Sequence, residues 1–125
     1  MKTINTKNAP QAIGPYSQAK IVGNLVFTSG QIPLNVRGEI VMNDFELECE
    51  QVLINLEAIL KASGSSMSNI IKLTVYLTYL SKFDILNNVF SKYFKDYLPA
   101  RSTVEVSKLP KDSRVEIEAI GFINE

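Results

Sequence analysis

The residues best suited to chemistry lie in the last quarter of the chain, in the segments PARSTVEV (99–106) and VEIEAIGF (115–122). Both segments have the composition of strands, yet they carry Arg101, Glu116 and Glu118, which a purely structural hairpin does not need. A guanidinium fixed beside a strand can bind a carboxylate through two parallel hydrogen bonds. A glutamate with an apolar residue on each side is a candidate proton carrier. The combination predicts an enzyme that acts on a small acid.

Other interpretations of these charged residues stay open from the sequence. Arg101 is also compatible with an exposed arginine or a structural ion pair, and the glutamates with a strand face in water, because charged residues are usually exposed. Glu116 and Glu118 are two residues apart, so they share one face of the predicted strand. Glu118 is therefore the obvious alternative to Glu116.

The residue types that are missing exclude several mechanisms. The chain has no histidine, the commonest metal ligand and acid–base group, and its single cysteine, Cys49, rules out an internal disulfide. We interpret Cys49 as structural, because it lies on the apolar stripe of a predicted helix. Zinc chemistry and Ser-His triads are excluded, and proton transfer is left to carboxylate, tyrosine, lysine, hydroxyl or water.

Length, hydrophobic content and charge limit the classes of protein that the chain can form. It has 125 residues, of which 46% are hydrophobic, and this predicts one domain spanning residues 1–125. Thirteen basic and thirteen acidic residues balance, so no overall field attracts nucleic acid or an anionic membrane. The N-terminus lacks the apolar core of a signal peptide, and no apolar run is long enough for a membrane helix. We expect a soluble, cytoplasmic protein.

The elements that must position the charged residues are readable from the sequence pattern. Glycine turns at 14–15 and 23–24 bracket a predicted strand at 16–22, and residues 25–29 are typical of a second strand. A helix is predicted from 43 to 62 because apolar residues recur at intervals of three and four. These residues are Phe45, Cys49, Val52, Leu53, Leu56, Ile59 and Leu60.

The ends of this helix carry specific signals. Asn43 followed by Glu46 resembles a capping box, and Gly64 stands where a left-handed C-terminal cap is expected. Strict alternation then predicts a half-buried strand at 71–79, and helical spacing returns from Ser81, a possible cap, to Tyr97.

The order of elements predicts an α+β fold in which two helices cover one face of a mixed sheet of about six strands. Apolar residues of the last strand point to both faces of that sheet. Val115, Ile117 and Ala119 share one face, and Ile120 and Phe122 lie on the other. The face without helices is therefore expected to pack against a partner subunit.

The sequence resembles the reactive-intermediate deaminase family, RidA of the YjgF type, over nearly its whole length. The matching segments are AIGPYSQA (12–19), FTSGQIP (27–33), the helix beginning at Asn43, the strand at 71–79, PARSTVEV, KLPKD (108–112) and VEIEAI. The resemblance implies a chorismate-mutase-like homotrimer with three sites in the clefts between subunits. It also implies hydrolysis, without a cofactor, of 2-imino acids such as 2-iminobutanoate and 2-iminopropanoate to 2-keto acids and ammonia.

By the same resemblance, Arg101 binds the carboxylate of the substrate and Glu116 activates the attacking water and helps ammonia leave. The alternative is a regulatory module that uses the same cleft to bind a 2-keto acid or an amino acid without turning it over. Arg101 serves both functions, whereas Glu116 favours hydrolysis, because a receptor for an anion has little use for a second acidic group.

The resemblance assigns five further residues to the substrate cleft. Tyr16, Ser29, Gly30 and Asn87 match positions that line it, although Tyr16 alone is also typical of a packing tyrosine and Ser29-Gly30 of a turn. Thr103 stands where the deaminase branch often has cysteine. A backbone N–H at this position would bind the substrate carboxylate with either residue, whereas a role for the side chain would change specificity or rate.

Overall fold

A computed structural model describes residues 1–124, which form a six-stranded mixed sheet and two α-helices. The strands are β1 (Lys2–Ile4), β2 (Ala19–Val22), β3 (Leu25–Thr28), β4 (Ile70–Leu77), β5 (Ala100–Glu105) and β6 (Val115–Phe122), and the helices are α1 (Phe45–Ala62) and α2 (Phe83–Tyr93). The sheet order is β1-β2-β3-β6-β4-β5, and β4 and β5 form the parallel pair. The predicted α+β fold is confirmed, and β1, a strand of three residues, is the element that the sequence pattern did not reveal.

The core lies between the helices and one face of the sheet. Alternate residues of the central strands, such as Leu73 and Val75 in β4 and Val115 and Ile117 in β6, are completely buried there. No helix covers the opposite face in the part of the chain that the structure describes. Apolar side chains are exposed on that face, Phe27 to 42% for example.

The two ends of α1 are set by side-chain and backbone caps. The prediction that Asn43 caps the helix is wrong, because Asp44 is the N-cap and its carboxylate accepts a hydrogen bond from the Leu47 N–H at 3.2 Å. Asn43 has a φ of 70°, in the left-handed region. At the other end Gly64 has a φ of 85°, and its N–H donates to the carbonyl of Lys61 at 3.1 Å, as predicted for a left-handed cap.

The second helix is shorter than its apolar spacing predicts. Ser81 is not its cap but lies in a 3₁₀ turn at Leu80–Lys82, and α2 ends at Tyr93 rather than near Tyr97. Pro99 disfavours helical backbone in the residue before it. Pro99 therefore favours an extended Leu98 just before β5, which begins at residue 100, whereas the helix has already ended at Tyr93.

Two polar side chains of α1 are buried and tie other segments to the helix. Glu48 is only 2% exposed and pairs with Arg114, whose Nε donates to Glu48 Oε1 at 3.0 Å and whose Nη2 donates to Oε2. Asn55 Nδ2 donates to the backbone carbonyls of Ile32 and Leu34, at 3.2 and 2.8 Å. The first contact anchors the start of β6, and the second anchors the segment that follows β3.

Candidate active site

Glu116 opens into a cavity of about 530 Å³ on the sheet face that lacks helices. Its walls come from the segment before β2, the segment after β3 and the turn before β6. Three residues that the sequence predicted for the substrate cleft lie here, namely Tyr16, Ser29 and Gly30. Lys111, on the turn before β6, also lines the cavity.

Gly30 packs directly against the carboxyl group of Glu116. A Cβ at position 30 would lie 2.0 Å from Glu116 Oε2, so no side chain fits there unless the carboxyl group moves. The segment is held in place by Gln31, whose N–H donates to the Ile117 carbonyl at 2.9 Å and whose carbonyl accepts from the Ile117 N–H at 3.0 Å. This glycine is therefore required for close approach rather than for its backbone angles.

The environment of Glu116 favours the protonated carboxyl group. Burial raises the pKa of Glu116 above its ordinary value, and the negative charge of Glu118 raises that pKa further. Glu118 accepts a hydrogen bond from the hydroxyl of Tyr76, whereas Glu116 has no hydrogen-bond or ion-pair partner in residues 1–124. The two glutamates share a strand face, as predicted, but Glu116 is the one that is free to exchange a proton inside the cavity.

Tyr16 and Ser29 line the same cavity while holding its wall together. The Tyr16 hydroxyl accepts a hydrogen bond from the Ile13 N–H at 3.1 Å, and its own proton is left for a ligand or water. The Ser29 hydroxyl donates to the Ser17 carbonyl at 2.6 Å. Tyr16 is 48% exposed, which fits a cavity-lining tyrosine and a half-buried packing tyrosine alike.

Arg101 lies on β5, at the edge of the sheet and on the side that faces α2. Its guanidinium carbon is 5.2 Å from the ring centroids of both Phe83 and Phe90, so two aromatic faces hold the cation. Burial lowers the pKa of Arg101, and no carboxylate within residues 1–124 pairs with it. Arg114, by contrast, is fully engaged by Glu48. A half-buried arginine without a counter-ion is able to bind an anion.

Asn87 and the free edge of β5 lie beside Arg101. Asn87, on α2, lines a shallow cavity of about 290 Å³ together with Arg101. The N–H of Val106 donates to the Leu77 carbonyl in β4 at 2.8 Å. Because N–H groups alternate between the two sides of a strand, the N–H of Thr103, three residues earlier, points to the free edge beside Arg101.

The Thr103 hydroxyl is buried and has no hydrogen-bond partner in residues 1–124. An unsatisfied hydroxyl of this kind costs free energy unless a ligand or water reaches it. Because this hydroxyl has no accessible surface in the chain, the backbone N–H at the free edge is the group of Thr103 that is placed to contact an anion.

Arg101 and Glu116 do not meet within one chain. Glu116 is paired with Tyr76 of β4, which is paired with Val104 of β5, and Val104 is three residues from Arg101. Two strand spacings of roughly 4.8 Å and three residue rises of roughly 3.3 Å separate the Cα atoms by about 14 Å. The two side chains also point to opposite faces of the sheet. The predicted site residues therefore form two half-sites, one with Glu116, Tyr16, Ser29 and Gly30, the other with Arg101, Asn87 and Thr103.

Sequence reasoning missed the polar residues that support the first half-site. Gln18 is 3% exposed. Its side-chain oxygen accepts a hydrogen bond from the Thr6 N–H, and its side-chain nitrogen donates to the backbone carbonyls of Thr6 and Pro10. These hydrogen bonds hold the segment from Thr6 to Pro10 beside the cavity. The local pattern does not mark Gln18 as buried, since Ala19 is buried but Ser17 is only partly buried and Lys20 is exposed. Residues 1–124 contain no group of three or more His, Cys, Asp or Glu side chains placed to hold a metal ion.

None of the helices in residues 1–124 has the length and apolar character to cross a membrane.

Comparison with known proteins shows similarity over the whole fold. The family model described as Endoribonuclease L-PSP matches residues 6–123. A RutC family protein of Pyrococcus horikoshii is 50% identical over 97% of both chains. The 2-iminobutanoate/2-iminopropanoate deaminase of Escherichia coli K12 is 45% identical over 96% of both chains. The crystal structure of Escherichia coli TdcF with bound serine superposes with a TM-score of 0.94 at 44% identity, covering 99% of this chain and 100% of that one.

Proposed function

The chain belongs to the Endoribonuclease L-PSP family, which includes the YjgF/RidA proteins, and on that basis we propose that it hydrolyses 2-imino acids and their enamine tautomers to 2-keto acids and ammonia. The proposed substrates are 2-iminobutanoate and 2-iminopropanoate, reactive intermediates of amino-acid metabolism. The observation that carries the proposal is the half-buried Arg101, which is held between two aromatic rings and has no counter-ion in residues 1–124. The carboxylate of an imino acid supplies that counter-ion.

The proposed active site lies between subunits. The two half-sites face opposite sides of one sheet, so a single substrate can contact both only when Arg101 comes from one copy and Glu116 from another. The exposed apolar residues on the uncovered sheet face give a second copy a surface to bury. A homotrimer with three such clefts meets both requirements, since each subunit gives one half-site to each of two neighbours.

In the proposed mechanism Arg101 binds the substrate carboxylate bidentately, and the Thr103 N–H adds a third donor. Glu116 of the neighbouring copy takes a proton from water as the water oxygen bonds to the carbon of the protonated imine, which gives a neutral carbinolamine. The protonated Glu116 then returns this proton to the amine nitrogen. The C–N bond breaks as the hydroxyl gives its proton to the Glu116 carboxylate, which yields the keto acid, and ammonia takes up that proton and leaves as ammonium. For an enamine, protonated Glu116 first delivers its proton to the β-carbon.

The test is a coupled assay in which a threonine dehydratase generates 2-iminobutanoate and semicarbazide traps the imine that survives. Purified wild type is expected to lower the trapped imine, and Arg101→Ala and Glu116→Gln to restore it. Arg37→Ala and Glu57→Gln are matched controls, because both side chains form only exposed surface ion pairs. Wild type that leaves the trapped imine unchanged at stoichiometric concentration would rule out the enzyme.

A second candidate is a metabolite-binding module without turnover, favoured by the relative whose structure holds serine. Arg101 is required here as well, so binding of 2-ketobutanoate must be lost in Arg101→Ala in either case. The module retains binding in Glu116→Gln and shows no turnover in wild type. RNA cleavage, which the family description names, has no support in this sequence, since the chain has no histidine and a formal net charge of +0.

A further inference from the structure

A hydrogen-bonded pair, Tyr76 and Glu118, stands next to Glu116 on the uncovered face of the sheet. Tyr76 is directly opposite Glu116 in the β4–β6 ladder, yet its hydroxyl reaches diagonally to Glu118 Oε1, whose own cross-strand neighbour is Thr74. This bond raises the pKa of Tyr76, because it requires the phenol to keep its proton. The Glu118 carboxylate is thereby held on the same face as Glu116.

Glu118 is the charged group that acts most directly on Glu116. Residues two apart on a strand face are roughly 7 Å apart, well inside the Debye length at physiological salt. Lys111 and Tyr16 line the same cavity, and Lys72 lies further along the face, opposite Ile120. Among these groups, Glu118 is the one whose charge raises the pKa of Glu116, after burial itself.

We propose that Tyr76 and Glu118 are a positioning pair that keeps Glu116 able to hold a proton, as well as to accept one, at neutral pH. The inference rests on the proposed function, because only a reacting Glu116 needs both states. In the proposed cleft, Arg101 of the second copy favours the ionised form of Glu116. A glutamate with a strongly lowered pKa would be a weak base toward water and would hold no proton for the β-carbon of an enamine. The fixed negative charge of Glu118 opposes the arginine and maintains both states.

The direct test is a carbon-13 NMR titration of the Glu116 carboxyl, assigned by its disappearance in Glu116→Gln. In Glu118→Gln the titration midpoint is expected to fall by about half to one pH unit, as Coulomb's law gives for unit charges roughly 7 Å apart at an effective dielectric constant of 40–80. Tyr76→Phe lowers the midpoint less, because Glu118 keeps its charge and loses only its hydrogen bond to Tyr76. The double variant Tyr76→Phe/Glu118→Gln has the same midpoint as Glu118→Gln. Glu105→Gln, at the sheet edge on the helix side, is the control and leaves the midpoint unchanged.

The outcomes separate the pair from the proposed function. A midpoint in Glu118→Gln within 0.1 pH unit of wild type, in a variant with native melting temperature, would refute the pair whatever the activity. A lowered midpoint in a protein without imine turnover supports the charge coupling and refutes the deaminase. With turnover, the acidic limb of the kcat profile must move to lower pH together with the NMR midpoint, and this is a readout that a merely structural role would not change.

Discussion

An active site shared between subunits predicts that two inactive variants restore each other. Arg101→Ala retains a complete Glu116 half-site, and Glu116→Gln retains a complete Arg101 half-site. When the two variants assemble together, some clefts receive an intact arginine from one subunit and an intact glutamate from the next. The opposite orientation of the two side chains, with their Cα atoms about 14 Å apart, excludes such a site inside one chain.

The size of the effect follows from random assembly. In an equal mixture the arginine side of a cleft is intact with a probability of about one half, and so is the glutamate side, so about one quarter of all clefts work. The mixture should therefore show about 25% of the wild-type deaminase activity, although each variant alone is inactive. Activity should follow the product of the two fractions as the ratio is varied, with its maximum at equal amounts.

The assay uses the two variants with different tags, mixed in denaturant, refolded together and isolated by both tags in sequence. This isolation removes the trimers made of one variant, and each mixed trimer has one working cleft of its three, so the isolated assemblies should show about one third of wild-type activity. Native mass spectrometry verifies that mixed assemblies are present before imine consumption is measured. The double variant Arg101→Ala/Glu116→Gln mixed with Arg101→Ala is the control, and it must stay inactive because no chain supplies the arginine. Mixed assemblies with no more activity than their parents would refute the division of the site between subunits.

Three further predictions concern the supports of the site. Gly30→Ala should lower kcat/KM by about 10²-fold in the imine assay, since its Cβ would lie 2.0 Å from Glu116 Oε2 and displace the carboxyl group. Unchanged kinetics would contradict the requirement for this close approach. Glu48→Gln should lower the free energy of unfolding, measured in urea, by about 3 kcal/mol, because it leaves Arg114 without its counter-ion. A loss below about 1 kcal/mol would mean that the ion pair is dispensable for stability. Asn55→Leu should lower the free energy of unfolding by about 2 to 4 kcal/mol in the same experiment, because the buried carbonyls of Ile32 and Leu34 lose their donor. A variant as stable as wild type would show that water replaces the amide.

Much of the fold was predictable because the spacing of apolar residues along the sequence identifies the helices and strands. The alternation in β4 and β6 and the stripe on α1 each reflect contact with one common core, so burial follows directly from spacing. The cap of α1 was misplaced by one residue because Asn43 and Asp44 are both good capping residues, and sequence does not show which has extended backbone. Strand β1 has only three residues, too few to display a period.

The sequence predicted which residues belong to the candidate site better than it predicted how they are arranged. Alternation assigns Glu116 and Arg101 each to a face of its own strand, but it does not say whether two strands that are distant in sequence expose those residues to the same side. That relation depends on the register of β6 and β5 against β4, a tertiary property. Glu48 and Asn55 gave a local signal, since both fall within the buried stripe of α1, but their partners are distant in sequence.

The aromatic stacking of Arg101 has a consequence for the thermodynamics of binding. A free arginine loses roughly 2 kcal/mol of side-chain conformational entropy when a ligand fixes it. Phe83 and Phe90 already restrict the guanidinium before any ligand arrives. Binding of a small carboxylate should therefore carry a small entropic penalty, and calorimetry should record Phe83→Leu as an entropy loss at nearly constant enthalpy. The two rings thus contribute to the affinity for the anion by limiting the motion of the guanidinium that binds it.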